Sequence, residues 1–295
     1  MELLQQVVNG ISLGSIYALI ALGYTMVYGI VRLINFAHGD VYMVGAYIGY
    51  LLANRFSEEA VWRFPFILVA SMALCSLLGM TIERVAYKPL RNRPRIATLT
   101  TAIGVSIFLE NFIRVTVGPN FLGFPEIITR ISWEVGGLTI SNIQLIVPGV
   151  TVGLMLLLQY IVYKTKAGKA MRAVSFDREA AMLMGVDVDK TIRITFAIGS
   201  ALAAAAGILV GIAYPRIDPY MGIMAGLKAF VSAVLGGIGI IPGAALGGVL
   251  MGVAEVMAVQ LLSSSLKDAI AFVVLIIVLL VKPTGLLGKV ASEKV

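Results

Sequence analysis

The chain has 295 residues, of which 59% are hydrophobic and 13% are charged, and its mean hydropathy is +0.95. A soluble domain carries about 25% charged residues, so this composition excludes a water-soluble globule and predicts a protein embedded in a lipid bilayer. The net charge of +7 comes largely from two basic stretches, at 84–95 and 164–193. Basic loops on an apolar chain are typical of the positive-inside bias, and they argue against a nucleic-acid-binding face.

Apolar segments follow one another along almost the whole chain, and each is close to the roughly 20 residues that cross a bilayer. They lie at 7–30, 38–54, 66–83, 97–116, 143–163, 192–213, 222–240, 244–262 and 266–282. The segments at 38–54 and 222–240 are short or interrupted by glycine, so either can be re-entrant. The sequence therefore predicts an all-α, polytopic integral membrane bundle with eight or nine transmembrane segments, some broken or re-entrant, in one domain over 1–295.

The basic loops also predict the orientation of the bundle. Residues 84–95 and 164–193 are separated by two spans and lie on one face, which their lysines and arginines place in the cytoplasm. The loops 54–65 and 117–142 then lie outside. The N-terminus is outside if the chain crosses nine times and inside if it crosses eight times.

A short polar run interrupts the apolar pattern near the start of the chain. It contains Asn35, His38, Gly39 and Asp40. Polar groups at membrane depth are costly unless they face protein or a water-filled cavity, so these residues are candidates for a translocation path. The alternative is a solvated interfacial turn between two helices. His38 is the only histidine and has no companion ligands, so we predict no metal site.

Two features near the end of the chain extend the predicted path. Gly236, Gly237 and Gly239 break the apolar pattern, as in the discontinuous helices of transporters, although a short loop would explain them equally well. Glu255 lies inside an apolar segment, where a carboxylate is either paired or in a hydrated cavity. A lone membrane carboxylate would also suit proton coupling.

The segment 164–193 is too polar to cross a bilayer and predicts a short helix over 177–184. Asp177 and Glu179 stand in its first turn, where they complement the helix dipole, and Gly185 stands at the usual stop position. Its apolar residues form a stripe that faces either the membrane surface or a partner protein. They are Ala180, Ala181, Leu183 and Met184.

The pattern Glu179-Ala180-Ala181-x-x-x-Gly185 resembles the EAA---G loop of permeases in ATP-binding-cassette importers. In those permeases, a short cytoplasmic helix docks in a groove on the ATPase subunit. The Ile-x-Leu-Pro element that ends the longer motif does not follow Gly185 here. The resemblance assigns ATPase coupling to Asp177, Glu179, Ala180, Ala181, Leu183, Met184 and Gly185.

Further stretches resemble the LivH-type permease family of branched-chain amino acid importers, in the same order along nearly the whole chain. They are YTMVYGI at 24–30, INFAHG at 34–39, ERVAYKPLR at 83–91, MAGLKAF at 224–230, VLGGIGIIPGA at 234–244 and KPTGLLG at 282–288.

This resemblance implies a multi-pass subunit of an importer in the bacterial inner membrane. A second, LivM-type permease would complete the path for leucine, isoleucine or valine, two ATPases would use ATP and Mg, and a periplasmic binding protein would deliver substrate. The chain has no G-x-x-x-x-G-K-[ST] motif, so we expect it to bind no cofactor and to be no enzyme. The alternatives are a secondary transporter or channel for small hydrophobic amino acids or amides, and a structural membrane scaffold.

Overall fold

The computed structural model describes residues 2–32, 34–56, 62–91, 93–261 and 263–288, so residues 57–61 of the predicted outer loop 54–65 lie outside the described residues. Within these ranges the chain is a helical bundle. Its helices are α1 (Glu2–Val31), α2 (His38–Ala53), α3 (Arg63–Ile82), α4 (Arg95–Thr116), α5 (Asn142–Lys164), α6 (Lys166–Phe176), α7 (Arg178–Leu183), α8 (Val188–Ala213), α9 (Met221–Gly236), α10 (Ile241–Leu261) and α11 (Ala269–Val281). A π-helix (Glu83–Tyr87) and a 3-10 turn (Lys88–Leu90) extend α3, and a second 3-10 turn (Ser264–Leu266) precedes α11.

The nine predicted apolar segments each correspond to one helix. Among the described residues, six helices are long and apolar enough to cross a bilayer, namely α1, α3, α4, α5, α8 and α10. The other three are shorter: α2 and α9 have 16 residues each, and α11 has 13. The short or interrupted character predicted for the second and seventh segments is therefore confirmed, and the fold is the predicted polytopic helical bundle.

Four short β-strands, which the sequence did not predict, lie at the end of the bundle predicted to be outside. The strands β2 (Ser132–Val135) and β3 (Leu138–Ser141) form an antiparallel hairpin within the loop 117–142. The strand β1 (Leu122–Gly123) pairs with β4 (Arg216–Ile217), which follows α8. Ser141 then begins α5 with a capping box, because its hydroxyl accepts a hydrogen bond from the Gln144 amide while the Gln144 side chain bonds the Ser141 amide.

The helix α1 runs through the middle of the bundle and packs against α5, α8, α9 and α10. Its close seam with α10 depends on small residues. A Cβ on Gly14 would lie 2.7 Å from the Cα of Val249, so no larger residue fits there without separating the helices. Small residues at such contacts let helix backbones pack closely where lipid removes the usual hydrophobic drive for association.

The large apolar side chains of the peripheral helices point outward. Ile103 and Phe108 on α4, Leu156 on α5 and Ile276 on α11 are all more than half exposed. Such an extensive apolar surface is unsuitable for water and fits a lipid environment.

The two ends of α1 resolve the orientation of the N-terminus. Near its start, Gln5 exchanges two hydrogen bonds of 2.9 Å with the backbone of Thr139 in the β2–β3 hairpin. Near its end, the guanidinium of Arg178 donates to the carbonyl of Val31 at 2.6 Å. The N-terminus therefore lies on the hairpin side, which the basic loops predict to be outside and which is called the outer face below. The helices α6 and α7 lie on the opposite face, which the same loops predict to be cytoplasmic and which is called the cytoplasmic face below, as nine crossings require.

Candidate substrate path and coupling segment

The predicted polar break lies between α1 and α2 and is packed inside the protein. The backbone leaves α1 at Arg32 with φ +56°, and α2 begins at His38. Asn35 is 3% exposed and His38 is 1% exposed. This burial excludes a solvated interfacial turn, which was the alternative reading of the sequence.

Aromatic residues from other elements hold the polar side chains of this break. The π-helix after α3 directs Tyr87 inward, and its hydroxyl donates to Asn35 Oδ1 at 2.7 Å. The ring of Tyr24 meets the His38 ring edge-on, with the centroids 4.7 Å apart. Among the described residues, no three His, Cys, Asp or Glu side chains cluster as they would to hold a metal ion.

The N-terminal ends of α2 and α9 meet beside this break. A Cβ on Gly39 would overlap the carbonyl oxygen of Gly222 and would lie 3.0 Å from the Cα of Gly226. His38 packs against Gly23, and Gly23 in turn packs against Gly199; these two glycines lie well inside the long helices α1 and α8. The two 16-residue helices therefore begin deep in the bundle, and their positive dipole ends converge there. Asp40, in the first turn of α2, is buried at this junction.

The second predicted break, which begins at Gly236, contains the short loop 237–240 between α9 and α10. Gly237 and Gly239 adopt φ values of +108° and +93°, which favour glycine. The amide of Leu286 donates to the carbonyl of Leu235 at 2.8 Å, so the C-terminal segment packs over Gly236 and Gly237. These two glycines are buried, whereas Gly239 is exposed.

Gly239 instead faces a small inner cavity of about 150 Å³ at the cytoplasmic end of α1. Gly29 on α1, Met171 and Arg172 on α6, and Ile241 at the start of α10 also line it. The structure therefore separates the three parts of the predicted path. Gly239 lies near α6, and Asn35 and His38 lie deep in the bundle. Glu255 lies on α10, in the lining of a different cavity.

Glu255 lies on α10 at the floor of an outer cavity of about 630 Å³. Its carboxylate is fully buried and accepts hydrogen bonds of 2.9 Å from the Tyr17 hydroxyl and the Lys228 ammonium. Lys228 also pairs with Asp268 at 2.7 Å. Both alternatives drawn from the sequence thus hold for Glu255, because it is paired and also borders a cavity. The sequence marked Glu255 as an unusual charge, but it gave no sign that Lys228 is its partner.

The predicted coupling helix is α7, preceded by α6 on the cytoplasmic face. Asp177 caps α7, since its Oδ1 accepts hydrogen bonds from the amides of Glu179 at 2.9 Å and Ala180 at 3.0 Å. Gly185 follows with φ +81°, and its amide bonds the Met182 carbonyl. The helix and its stop at Gly185 therefore form as the sequence predicts, although the helix is only six residues long.

The apolar residues of α7 do not form the single stripe that the sequence suggested. Ala181 is 4% exposed and packs against the bundle, whereas Leu183 is 88% exposed and Met184 is 83% exposed. Phe176, at the end of α6, is 91% exposed. The prediction of one shared face was wrong, because residues two positions apart on an α-helix point in nearly opposite directions, so Leu183 faces away from the side on which Ala181 packs.

Arginines connect α6 and α7 to the start of the polar break. Besides the Arg178 bond to Val31, Arg32 donates to the carbonyl of Ser175 at 3.4 Å. Partial burial, with the nearby charges of Arg91 and Arg32, lowers the pKa of the Arg178 guanidinium from its ordinary value. The end of α1 and the coupling segment are thus joined by polar contacts that the sequence did not indicate.

An ionic network that the sequence analysis missed fixes the cytoplasmic ends of α3 and α8. Arg91 bridges the buried carboxylate of Glu83 and that of Asp189, and Lys88 pairs with Asp189 at 2.6 Å. Glu83 stands in the π-helix that carries Tyr87. The charged residues of the basic loop 84–95 therefore anchor the π-helix whose Tyr87 bonds Asn35. This is in addition to the membrane orientation that the loop predicts.

In this bundle an apolar, lipid-facing surface surrounds interior helices that are short or interrupted. This arrangement is typical of the class of multi-pass membrane permeases. A family model described as the permease component of branched-chain amino acid transport systems matches residues 6–279. The chain belongs to this family.

Individual relatives agree with this membership. The chain is 45% identical to the high-affinity branched-chain amino acid transport system permease protein LivH of Escherichia coli (strain K12), over 99% of this chain and 97% of the relative. It is 43% identical to the permease protein BraD of Pseudomonas aeruginosa, over 99% of this chain and 98% of the relative. A probable LivH of Methanocaldococcus jannaschii is 28% identical, over 93% of this chain and 89% of the relative.

Proposed function

We propose that the chain is a permease subunit of an ATP-driven importer for the branched-chain amino acids leucine, isoleucine and valine. Its family and its full-length relatives, whose names specify branched-chain amino acid transport, support the substrate class. The proposal that separate ATPases drive transport rests on the cytoplasmic turn at the end of α7, where Leu183 and Met184 are almost fully exposed. Two large apolar side chains held in this way on a capped helix fit a protein partner better than water.

The partners we propose follow from the same family. A second, LivM-type permease completes the path, two ATPase subunits dock on the cytoplasmic face, and a periplasmic binding protein delivers substrate to the outer face. ATP and Mg are used by the ATPases, and this chain contributes no catalytic group. The assembly would lie in the inner membrane of a bacterium.

The contacts of α7 suggest how movement of an ATPase reaches the path. A docked ATPase would bear on Leu183, Met184 and Gly185, with Glu179 and Ala180 on the same exposed segment. Because Arg178 bonds the Val31 carbonyl, a shift of α7 pulls on the end of α1. The polar break with Asn35, His38 and Gly39 begins directly after that point, so the shift is transmitted to the meeting point of α2 and α9.

The path itself would join the outer cavity at Glu255 to the inner cavity at Gly239. Between them lies the packed junction of Gly39 and Gly222, where only glycine fits. A path closed in the middle, with a larger cavity on the outer side than on the inner side, matches one state of an alternating-access transporter. In this arrangement Gly236 and Gly237 give α9 its end, so that Gly239 can border the inner cavity.

Substitution of Leu183 by Asp tests the coupling role, with Ile131→Asp as the matched control. Ile131 is an exposed apolar residue on the outer face, at 50% exposure. We expect Leu183→Asp to abolish copurification of the ATPases and ATP-driven leucine uptake into proteoliposomes. Ile131→Asp should retain the ATPases. Normal ATPase binding and uptake by Leu183→Asp would contradict the proposal.

A further inference from the structure

The outer cavity has the size and lining of a site for a small molecule. Its volume of about 630 Å³ lies within the roughly 300–1,000 Å³ typical of ligand pockets. One wall is apolar, with Leu13 and Ile16 from α1, Met224 from α9, and Val256 and Val259 from α10. Such a wall accepts an aliphatic side chain, because burial there removes apolar surface from water.

Charged groups stand at the floor and mouth of the same cavity. Lys228 uses two of its three donors, on Glu255 at 2.9 Å and Asp268 at 2.7 Å, which leaves one donor for a ligand. Glu255 is engaged through both oxygens by Tyr17 and Lys228, so it holds the lysine in place. Asp268 is half exposed at the mouth, where it can also accept a bond from an incoming ammonium.

The positive and negative side chains that line the cavity are equal in number. Three are basic and three are acidic: Arg216, Lys228, Lys267, Asp218, Glu255 and Asp268. A ligand with a net charge would leave one charge uncompensated in a partly desolvated site, which is costly. A zwitterion keeps the balance and offers one group of each sign.

We propose that the outer cavity binds a zwitterionic α-amino acid with an aliphatic side chain inside the permease itself. Lys228 binds the carboxylate, Asp268 binds the ammonium, and the wall around Met224 and Val259 packs against the side chain. This inference rests on the proposed function and adds that the permease recognises its substrate in addition to the binding protein. Tyr17 and Glu255 are positioning residues that fix Lys228.

Cysteine labelling tests the site without disturbing its charges. Cys75 is the only cysteine in the sequence, so Cys75→Ala gives a cysteine-free background. Met224→Cys places a thiol on the cavity wall, and Ile131→Cys is the control on the outer face. The complex is reconstituted in liposomes without binding protein and treated with a membrane-impermeant thiol reagent, at increasing concentrations of leucine.

We expect saturating leucine to slow labelling of Met224→Cys by about tenfold or more, and to leave Ile131→Cys unchanged. Leucinamide lacks the carboxylate and 4-methylpentanoate lacks the ammonium, so neither should protect. Lysine and glutamate carry a net charge and should also fail to protect. Equal protection by all of these compounds, or no protection by leucine, would overturn the proposal.

A variant that removes the charge of Lys228 tests whether this residue recognises the carboxylate of the ligand. In the Met224→Cys background, Lys228→Met should remove the preference for leucine over leucinamide, because the carboxylate loses its partner. A preference that persists in Lys228→Met would show that the lysine does not bind the carboxylate, and it would contradict the assignment. Glu110→Gln, which changes a buried carboxylate outside the cavity lining, is the control and should keep the preference.

A parallel set of vesicles with the same variant, now supplied with the binding protein and ATP for the uptake assay, distinguishes failure of this inference from failure of the proposed function. ATP-driven leucine uptake without protection of Met224→Cys would overturn the cavity site and leave the importer standing. Protection without ATP-driven uptake would support the site and contradict the importer.

Discussion

Two sets of buried polar side chains in this bundle are paired across elements that lie far apart in the chain. Tyr87 bonds Asn35, and Tyr17 and Lys228 bond Glu255. In an interior that excludes water, an unpaired polar group costs more than the bond itself gains. Each pair therefore ties two helices into one geometry, and loss of one partner should have a measurable effect.

The bond between Tyr87 and Asn35 is the sharpest test at this scale. Tyr87→Phe keeps the ring and removes the hydroxyl, which leaves Asn35 Oδ1 buried without that donor. We expect a loss of about 1–3 kcal/mol in the free energy of unfolding, followed as a lower midpoint in thermal melting of the purified complex. Tyr160→Phe is the control, because Tyr160 is exposed on α5 and should melt as wild type. Equal midpoints for the two variants would contradict a structural role for the bond.

The pair of Lys228 and Glu255 leads to a second prediction. Lys228→Met leaves a fully buried carboxylate with a weaker partner, Lys267 at 3.5 Å, so the loss should be about 3–5 kcal/mol. Lys228→Met combined with Glu255→Gln removes both charges and should recover part of that loss. Thermal melting of the complex measures both. A double variant less stable than Lys228→Met alone would show that the buried charge is not the cause.

At the scale of elements, the two short helices α2 and α9 are the unusual feature. They meet end to end at Gly39 and Gly222, and neither helix spans the bundle alone. Discontinuous helices in transporters bring dipole ends and free backbone groups to the path. In the proposed importer this junction is therefore the closure between the outer and inner cavities.

Gly39→Ala tests this junction. The added Cβ would overlap backbone atoms, which cannot move aside as a side chain can, so α2 and α9 must separate. We expect at least the roughly 1–3 kcal/mol cost of overpacking, seen as a lower yield of monodisperse protein in detergent. Gly153→Ala on α5 meets nothing within 4 Å and should be neutral. A normal yield from Gly39→Ala, together with normal uptake, would show that the junction is not closely packed.

Hydropathy predicted the nine helices because each span must carry its own run of apolar residues. It also predicted that 38–54 and 222–240 are short. The junction of these two helices, the pair of Lys228 and Glu255, and the strand pair β1–β4 were not predictable, since each joins residues widely separated in sequence. The single stripe on α7 failed for a local reason, because helical periodicity points Leu183 away from the side of Ala181.

At the scale of the whole molecule, three features lie in order from one face to the other. The outer cavity at Glu255 comes first, the glycine junction of α2 and α9 follows, and the inner cavity at Gly239 lies beside α6. The turn of α7 with Leu183 is exposed on that same cytoplasmic face. In the proposed importer these features would be the entrance, the closure and the docking surface for the ATPases that supply the energy.

The most direct test of the importer compares two sources of energy for leucine uptake. Proteoliposomes that contain the chain, its partner permease, the ATPases and the binding protein are supplied either with ATP and Mg or with a proton gradient alone, and initial leucine uptake is measured. We expect uptake with ATP, none with the gradient, and none with ATP when Leu183 is replaced by Asp. Uptake that follows the gradient and ignores ATP would contradict the proposed importer and identify a secondary transporter.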